Sequence, residues 1–164
     1  MNDETAALLM DVVGRLEGSI RVRDCPAIVA LDGIGRLFLS DYDYLRDEAA
    51  AQAFERRAAG KAQEIETVRW VFAVPQVWVA RKGIVSVRAV SNDPLRKGEQ
   101  EAITWMSFDR EDGVDYGRVA YARRPNGDPV FEEPEMFTIE VRPAEGMPGI
   151  TLLHALMGED DPAP

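Results

Sequence analysis

The chain has 164 residues, 46% of them hydrophobic and 29% charged, with a formal net charge of −10 at pH 7. That is an ordinary globular composition at one-domain length, able to bury about two-thirds of its unfolded surface without a staple. The acidic balance excludes the clustered Lys and Arg that grip a phosphate backbone and disfavours anionic membrane surfaces, so neither nucleic acid nor membrane is an expected partner.

The opening "MNDETAALLMDVV" begins with acids rather than a basic region and does not read as a signal peptide. From Asn2 or Asp3 as N-cap, "ETAALLMDVVGRLEG" predicts a short amphipathic helix. Leu8 or Leu9, Val12, Val13 and Leu16 fall on one face, and Gly18 supplies the stop. Next, "AIVAL" and "IGRLFL" flank Asp32-Gly33, the arrangement of a β-hairpin. A helix is the alternative for residues 27–39, with Asp24 as cap and Pro26 in its first turn. Gly33 and Gly35 weigh toward the hairpin.

Residues 44–66 predict a long helix whose buried stripe is Leu45, Ala49, Phe54, Ala58 and Ile65, with Glu55 and the run from Arg56 to Lys61 outside. Beyond Thr67 the pattern turns to β. "VRWVFAV" and "QVWVA", parted by Pro75, lead to "GIVSVRAV", "AITWMSF", "YGRVAYA" and "MFTIEV". "ITLLHALM" closes as a short helix, and the acidic "GEDDPAP" (158–164) is expected to be a disordered tail. The longest apolar stretch, residues 70–80, is too short to span a bilayer and is interrupted by Pro75 and Gln76. Helix, hairpin, helix and then a run of strands define a single α+β domain over residues 1–157, with a largely antiparallel sheet (a meander) and a cytoplasmic setting. This opening order loosely resembles roadblock, profilin or GAF-type domains, a likeness of topology alone that licenses no function.

Among the residues that could do chemistry, "LFLSDYDYL" (37–45) stands first. Its strand followed by Asp41-x-Asp43 resembles the first motif of haloacid dehalogenase-type phosphatases. That resemblance implies Asp41 as nucleophile and magnesium ligand and Asp43 as general acid. The likeness covers about seven residues, carries Leu45 where those enzymes have Thr or Val, and lacks the alternating βα units behind it. Helix capping by Ser40, Asp41 or Asp43, with Asp47 and Glu48 in the first turn, accounts for the acids without a substrate. Capping leaves Tyr42 and Tyr44 unexplained.

Cys25, the lone cysteine, excludes an internal disulfide and a Cys-built zinc site. Nothing in the spacing pairs it with the lone histidine, His154, as nucleophile and base. No metal or cofactor is expected from so few soft ligands. The glycines of "LDGIGRLF" read as a turn rather than a phosphate loop, since the third glycine is missing.

Alternation places Trp70, Phe72 and Val74 on one face of their strand against Val71 and Ala73 on the other. Ile103, Trp105 and Ser107 likewise oppose Thr104, Met106 and Phe108. Apolar residues on both faces, with few helices to cover them, point to an interface. Two functions follow from this. The first is a non-catalytic interaction module (regulatory, adaptor or immunity-type) that binds a protein partner or its own copy through an acidic rim and an apolar sheet patch. The second is a small-ligand protein or hydrolase with a pocket between sheet and long helix. Asp41 and Asp43 are the candidate binding residues at its mouth, Tyr42 and Tyr44 are candidate contacts with a partner or a ligand, and a buried, perturbed carboxylate is expected in the pocket.

Overall fold

The computed structural model describes residues 1–81, 84–90, 94–137 and 147–158. Helix α1 (Asp3–Arg21) starts where Asn2 Oδ1 accepts the Thr5 amide at 2.9 Å, with Asp3 and Glu4 in the first turn. It runs through Gly18 instead of stopping there. A helical glycine costs about 1 kcal/mol, whereas burying the Ile20 side chain returns roughly 2 kcal/mol, so the last turn holds. Arg23, at φ 58°, turns the chain out.

Strands β1 (Ala27–Gly33) and β2 (Gly35–Asp41) form the expected antiparallel hairpin. Its tip is Ile34, between paired Gly33 and Gly35, and Asp32 stays in β1 opposite Arg36. Gly35 takes the left-handed φ of 83° that this tight turn requires. A Cβ on Gly33 would collide with the Ile65 and Glu66 carbonyls, so a glycine lets the end of the next helix close over the hairpin.

Helix α2 (Glu48–Glu64) begins four residues later than the sequence suggests, and its N-cap is Asp47, whose Oδ1 accepts the Ala50 amide at 2.7 Å. The delay has two causes. Asp41 Oδ1 accepts the Asp43 amide at 3.0 Å in an Asx turn, and Tyr44 is drawn down into the core against Phe54 and Phe72. The buried stripe is Phe54, Glu55, Ala58, Ala59 and Ala62; Ala49 is exposed, and Glu55, expected outside, lies only 3% exposed.

Strand β3 (Arg69–Arg81) is unbroken through Pro75. Along one side it pairs with β1 over residues 69–73 and with β4 (Ile84–Ala89) over 76–81, so Pro75 falls in the gap where no ladder amide is needed. Its other side pairs along its length with β5 (Glu99–Asp109), which continues antiparallel to β6 (Gly113–Arg123). Strands β7 (Pro129–Phe131) and β8 (Glu135–Met136) share the far edge of β6. Every pairing is antiparallel, in the order β2-β1-β3-β5-β6-β7. Of "MFTIEV", residues 138–141 lie outside the described residues, as does most of the expected tail. Helix α3 (Ile150–Met157) matches its prediction.

The sheet is sandwiched between two helical layers. Val71, Ala73, Ile103 and Trp105 pack with Leu9, Val12, Val13, Leu16 and Ile20 of α1. On the opposite face, Trp70, Phe72, Val74 and Met106 meet Phe54, Ala58 and Ala62 of α2 and Leu152 and Leu153 of α3. The two-faced apolar strands read from the sequence are real, but the chain's own helices cover both sides: Trp70 and Trp105 are each 1% exposed. Among the described residues no helix is long and apolar enough to cross a membrane.

Candidate functional site

Where α2 begins, where α3 begins and where β3 meets β4, the surface dips into a cavity of about 580 Å³. Tyr44, Glu55, Gln76, Val87, Met147 and Ile150 are among the residues lining it, with Asp47 and Glu48 also on its wall. At its base Glu55 reaches out of α2 toward α3. Gly149, the N-cap of α3, has no side chain to satisfy the helix's first amides. Glu55 takes that part from a distance: Oε1 accepts the Leu152 amide at 3.1 Å, and the Gly149 and Thr151 amides also point at the carboxylate. Its Oε2 accepts the Tyr44 hydroxyl at 2.7 Å.

Burial pushes the Glu55 carboxyl above its ordinary value, and the hydrogen bonds from Tyr44 and the helix amides offset this only in part. Burial, with the Glu55 charge and hydrogen bond behind it, drives the Tyr44 phenol far upward, so its proton stays on as donor. Gln76, 6% exposed, contributes the unusual group of the site: its Oε1 is buried with no hydrogen-bond partner. A buried carbonyl left unpaired is costly and rare.

The residues expected at the site divide. Tyr44 lines the cavity; Asp41, Tyr42 and Asp43 do not. Asp41 closes its Asx turn with Arg57 4.0 Å away, Asp43 is exposed near Arg46, and Tyr42 is 64% exposed with its hydroxyl donating to Asp24 at 2.9 Å. Neither aspartate caps α2. Glu55 and Gln76 were missed because each reads as surface in its own pattern, Glu55 in a charged helix and Gln76 beside a proline. A signal did exist for Glu55: its position follows Phe54 and lies three and four residues before Ala58 and Ala59, on the apolar stripe.

A second cavity, of about 530 Å³, is lined by Cys25, Glu101, Tyr121 and Arg123 among others. Two of its charges meet: Arg123 Nε donates to Glu101 at 2.9 Å and Nη1 to the Gly127 carbonyl at 3.0 Å. Burial pushes the Cys25 thiol up, away from the reactive thiolate. His154 rides on α3, across the sheet from the α1-side cluster against which Cys25 packs, so the two form no dyad. Arg69 forms another closed network, donating to Asp32 at 2.8 Å and Asp109 at 3.3 Å and pairing with Glu4 at 2.6 Å. It ties β1, β3, β5 and α1 together. Among the described residues no group of His, Cys, Asp and Glu is arranged to hold a metal ion. Comparison of the chain with family models, with curated proteins and with solved structures finds no match in any of the three.

Proposed function

We propose that this chain binds a small, donor-rich polar molecule, of the organic-amine type, in the cavity between α2, α3 and the β3–β4 ribbon. The observation that carries the reading is that Gln76 lines the cavity while its buried Oε1 has no hydrogen-bond partner, an acceptor that a ligand N–H reaching it would satisfy. The surrounding wall is mostly acidic, and its guanidinium, Arg88, is paired with Glu99 at 2.6 Å. Glu55 supplies a carboxylate whose charge burial opposes and a cation would stabilise, and Asp47 and Glu48 extend the acidic wall. Val87 and Met147 offer apolar surface for the body of such a ligand. We read the role as binding: among the described residues that line the cavity, no nucleophile stands beside an activating base. Asp41 and Asp43 lie outside it, so the acidic pocket of this reading is built on Glu55 instead.

The test is thermal-shift and calorimetric titration with spermidine, arginine and glucosamine, using glucose 6-phosphate and magnesium as controls. An amine should stabilise the chain, and Gln76→Leu and Glu55→Gln should each remove the effect. No shift with any amine, or shifts that survive both substitutions, would overturn the assignment. The interaction-module reading loses its sheet faces to the chain's own helices; the fold leaves it the outer edge of β2.

A further inference from the structure

Strand β2 is a sheet edge. Its inner side pairs with β1 from end to end, and among the described residues no backbone group of residues 35–41 bonds outside that pairing. An unpaired edge of this length is a template for another strand. Natural edges are usually blunted by lysine, proline or a bulge. Here the edge reads Gly-Arg-Leu-Phe-Leu-Ser-Asp, with three successive half-buried apolar residues, Leu37, Phe38 and Leu39, at its centre.

The two ends of this edge carry the second and third most exposed large apolar side chains of the described chain, Ile34 at 69% and Tyr42 at 64%. Ile34 is the hairpin tip and the Tyr42 hydroxyl donates to Asp24, yet both side chains stay open to solvent. A two-fold axis through Phe38 would bring them together across two copies. If β2 pairs antiparallel with β2 of a second copy about that axis, Phe38 meets its own counterpart and Leu37 meets Leu39. Arg36 then faces Ser40, and just beyond the ladder's ends Ile34, at the hairpin tip, comes beside Tyr42 of the other copy. Within the strand, Arg36, Phe38 and Ser40 share the face on which Phe38 stacks under the Arg15 guanidinium, 3.7 Å from its ring centroid. No like charges stand opposite one another, and Arg36 and Asp41 leave the edge itself without net charge although the chain carries −10.

We infer that the outer edge of β2 is an isologous dimerisation site for a second copy of this chain, centred on Phe38, with Ile34 of each protomer against Tyr42 of its partner. The inference goes beyond the ligand cavity and uses none of the residues that line it.

The pairing makes a charge-exchange test possible. Ile34 and Tyr42 stand just beyond opposite ends of β2, roughly 20 Å apart, too far to touch within a protomer. Ile34→Lys with Tyr42→Lys sets like charges opposite each other at both ends of the ladder. Ile34→Lys with Tyr42→Glu sets opposite charges there, at the same two exposed positions. Sedimentation equilibrium up to about 200 µM chain, in buffer of about 0.15 M salt where screening acts within about 8 Å, reads the mass. Wild type should rise from 18.2 kDa toward twice that mass. The double-lysine variant should weaken association at least tenfold, and the lysine–glutamate variant should restore it. Circular dichroism on all three shows that the exposed substitutions leave the fold intact. A wild type that stays monomeric, a double-lysine variant that still dimerises, or a lysine–glutamate variant that fails to recover would each overturn the proposal.

Discussion

The Tyr44 hydroxyl donates to Glu55 at 2.7 Å, while the other Glu55 oxygen accepts the Leu152 amide at 3.1 Å, so one buried carboxylate joins the approach to α2, α2 itself and the start of α3. The link explains why α3 holds its place with only eight residues and a glycine cap. Tyr44→Phe keeps the ring contacts with Phe54 and Phe72 but removes the hydroxyl donor from Glu55 Oε2. It should cost about 1–3 kcal/mol in urea unfolding, the range for a buried group that loses its partner.

Ionised Glu55 is a cost as well as a link. Its folded value lies above the ordinary 4.5, so between the two the folded state holds the extra proton. Its contribution is fully present below 4.5 and is lost as pH rises through the folded value. Measured against Glu55→Gln, wild type should therefore gain relative stability as pH falls from neutral toward 4.5. A flat difference across that window would show that the carboxyl is not raised.

Asp109 behaves with the opposite sign. Burial alone would raise it, but hydrogen bonds from Asn2, from the Glu111 and Asp112 amides and from Thr5 outweigh that and hold it down to about 2. Its contribution is present above the ordinary 3.8 and disappears as pH falls from there through about 2. Compared with Asp109→Asn, wild type should lose its advantage over that acid range, with α1 loosening first because Asn2 and Thr5 anchor its start. Hydrogen exchange of the α1 amides reads this directly.

Gln76→Leu removes the cavity's unpaired carbonyl while keeping an apolar body of similar volume. The substitution should leave the free protein equally stable or more stable by about 1–2 kcal/mol, since the unsatisfied group disappears with its desolvation cost. Ligand binding should vanish in the same variant. A clear loss of stability instead would show that Gln76 serves the fold.

Capping separates three neighbouring aspartates. Asp47→Ala should cost about 1 kcal/mol, the usual loss for an N-cap. Asp41→Asn, which keeps the acceptor of the Asx turn, and Asp43→Asn, at an exposed position, should each fall within about 0.5 kcal/mol of wild type. Chemical denaturation of the three variants side by side decides it.

Period and turn chemistry in the chain were enough for the class of the fold. The 3.6-residue spacing of Leu9, Val12, Val13, Leu16 and Ile20 specifies a helix with one buried face. The alternation of Trp70, Phe72 and Val74 against Val71 and Ala73 specifies a strand buried on both sides. These are local signals, set by how a backbone repeats, and they survive in any context. The cavity was less legible, because its residues come from elements distant in the chain: Glu55, bonded to Tyr44, meets Leu152 across 97 positions, and Gln76 joins them from β3.

Whether a two-faced strand needs a partner depended on where α1 and α3 settled, and they settled on opposite sides of the sheet. Whether an acidic residue on α2 points outward depended on an unsatisfied helix start elsewhere, which pulled Glu55 in. Local periodicity cannot carry either fact, since each is fixed by burial and by hydrogen-bond demand between segments that meet only once the chain has folded. The same holds for Tyr42 and Tyr44: two residues apart in sequence, one is held in the core by Glu55 while the other is left at the end of an open sheet edge.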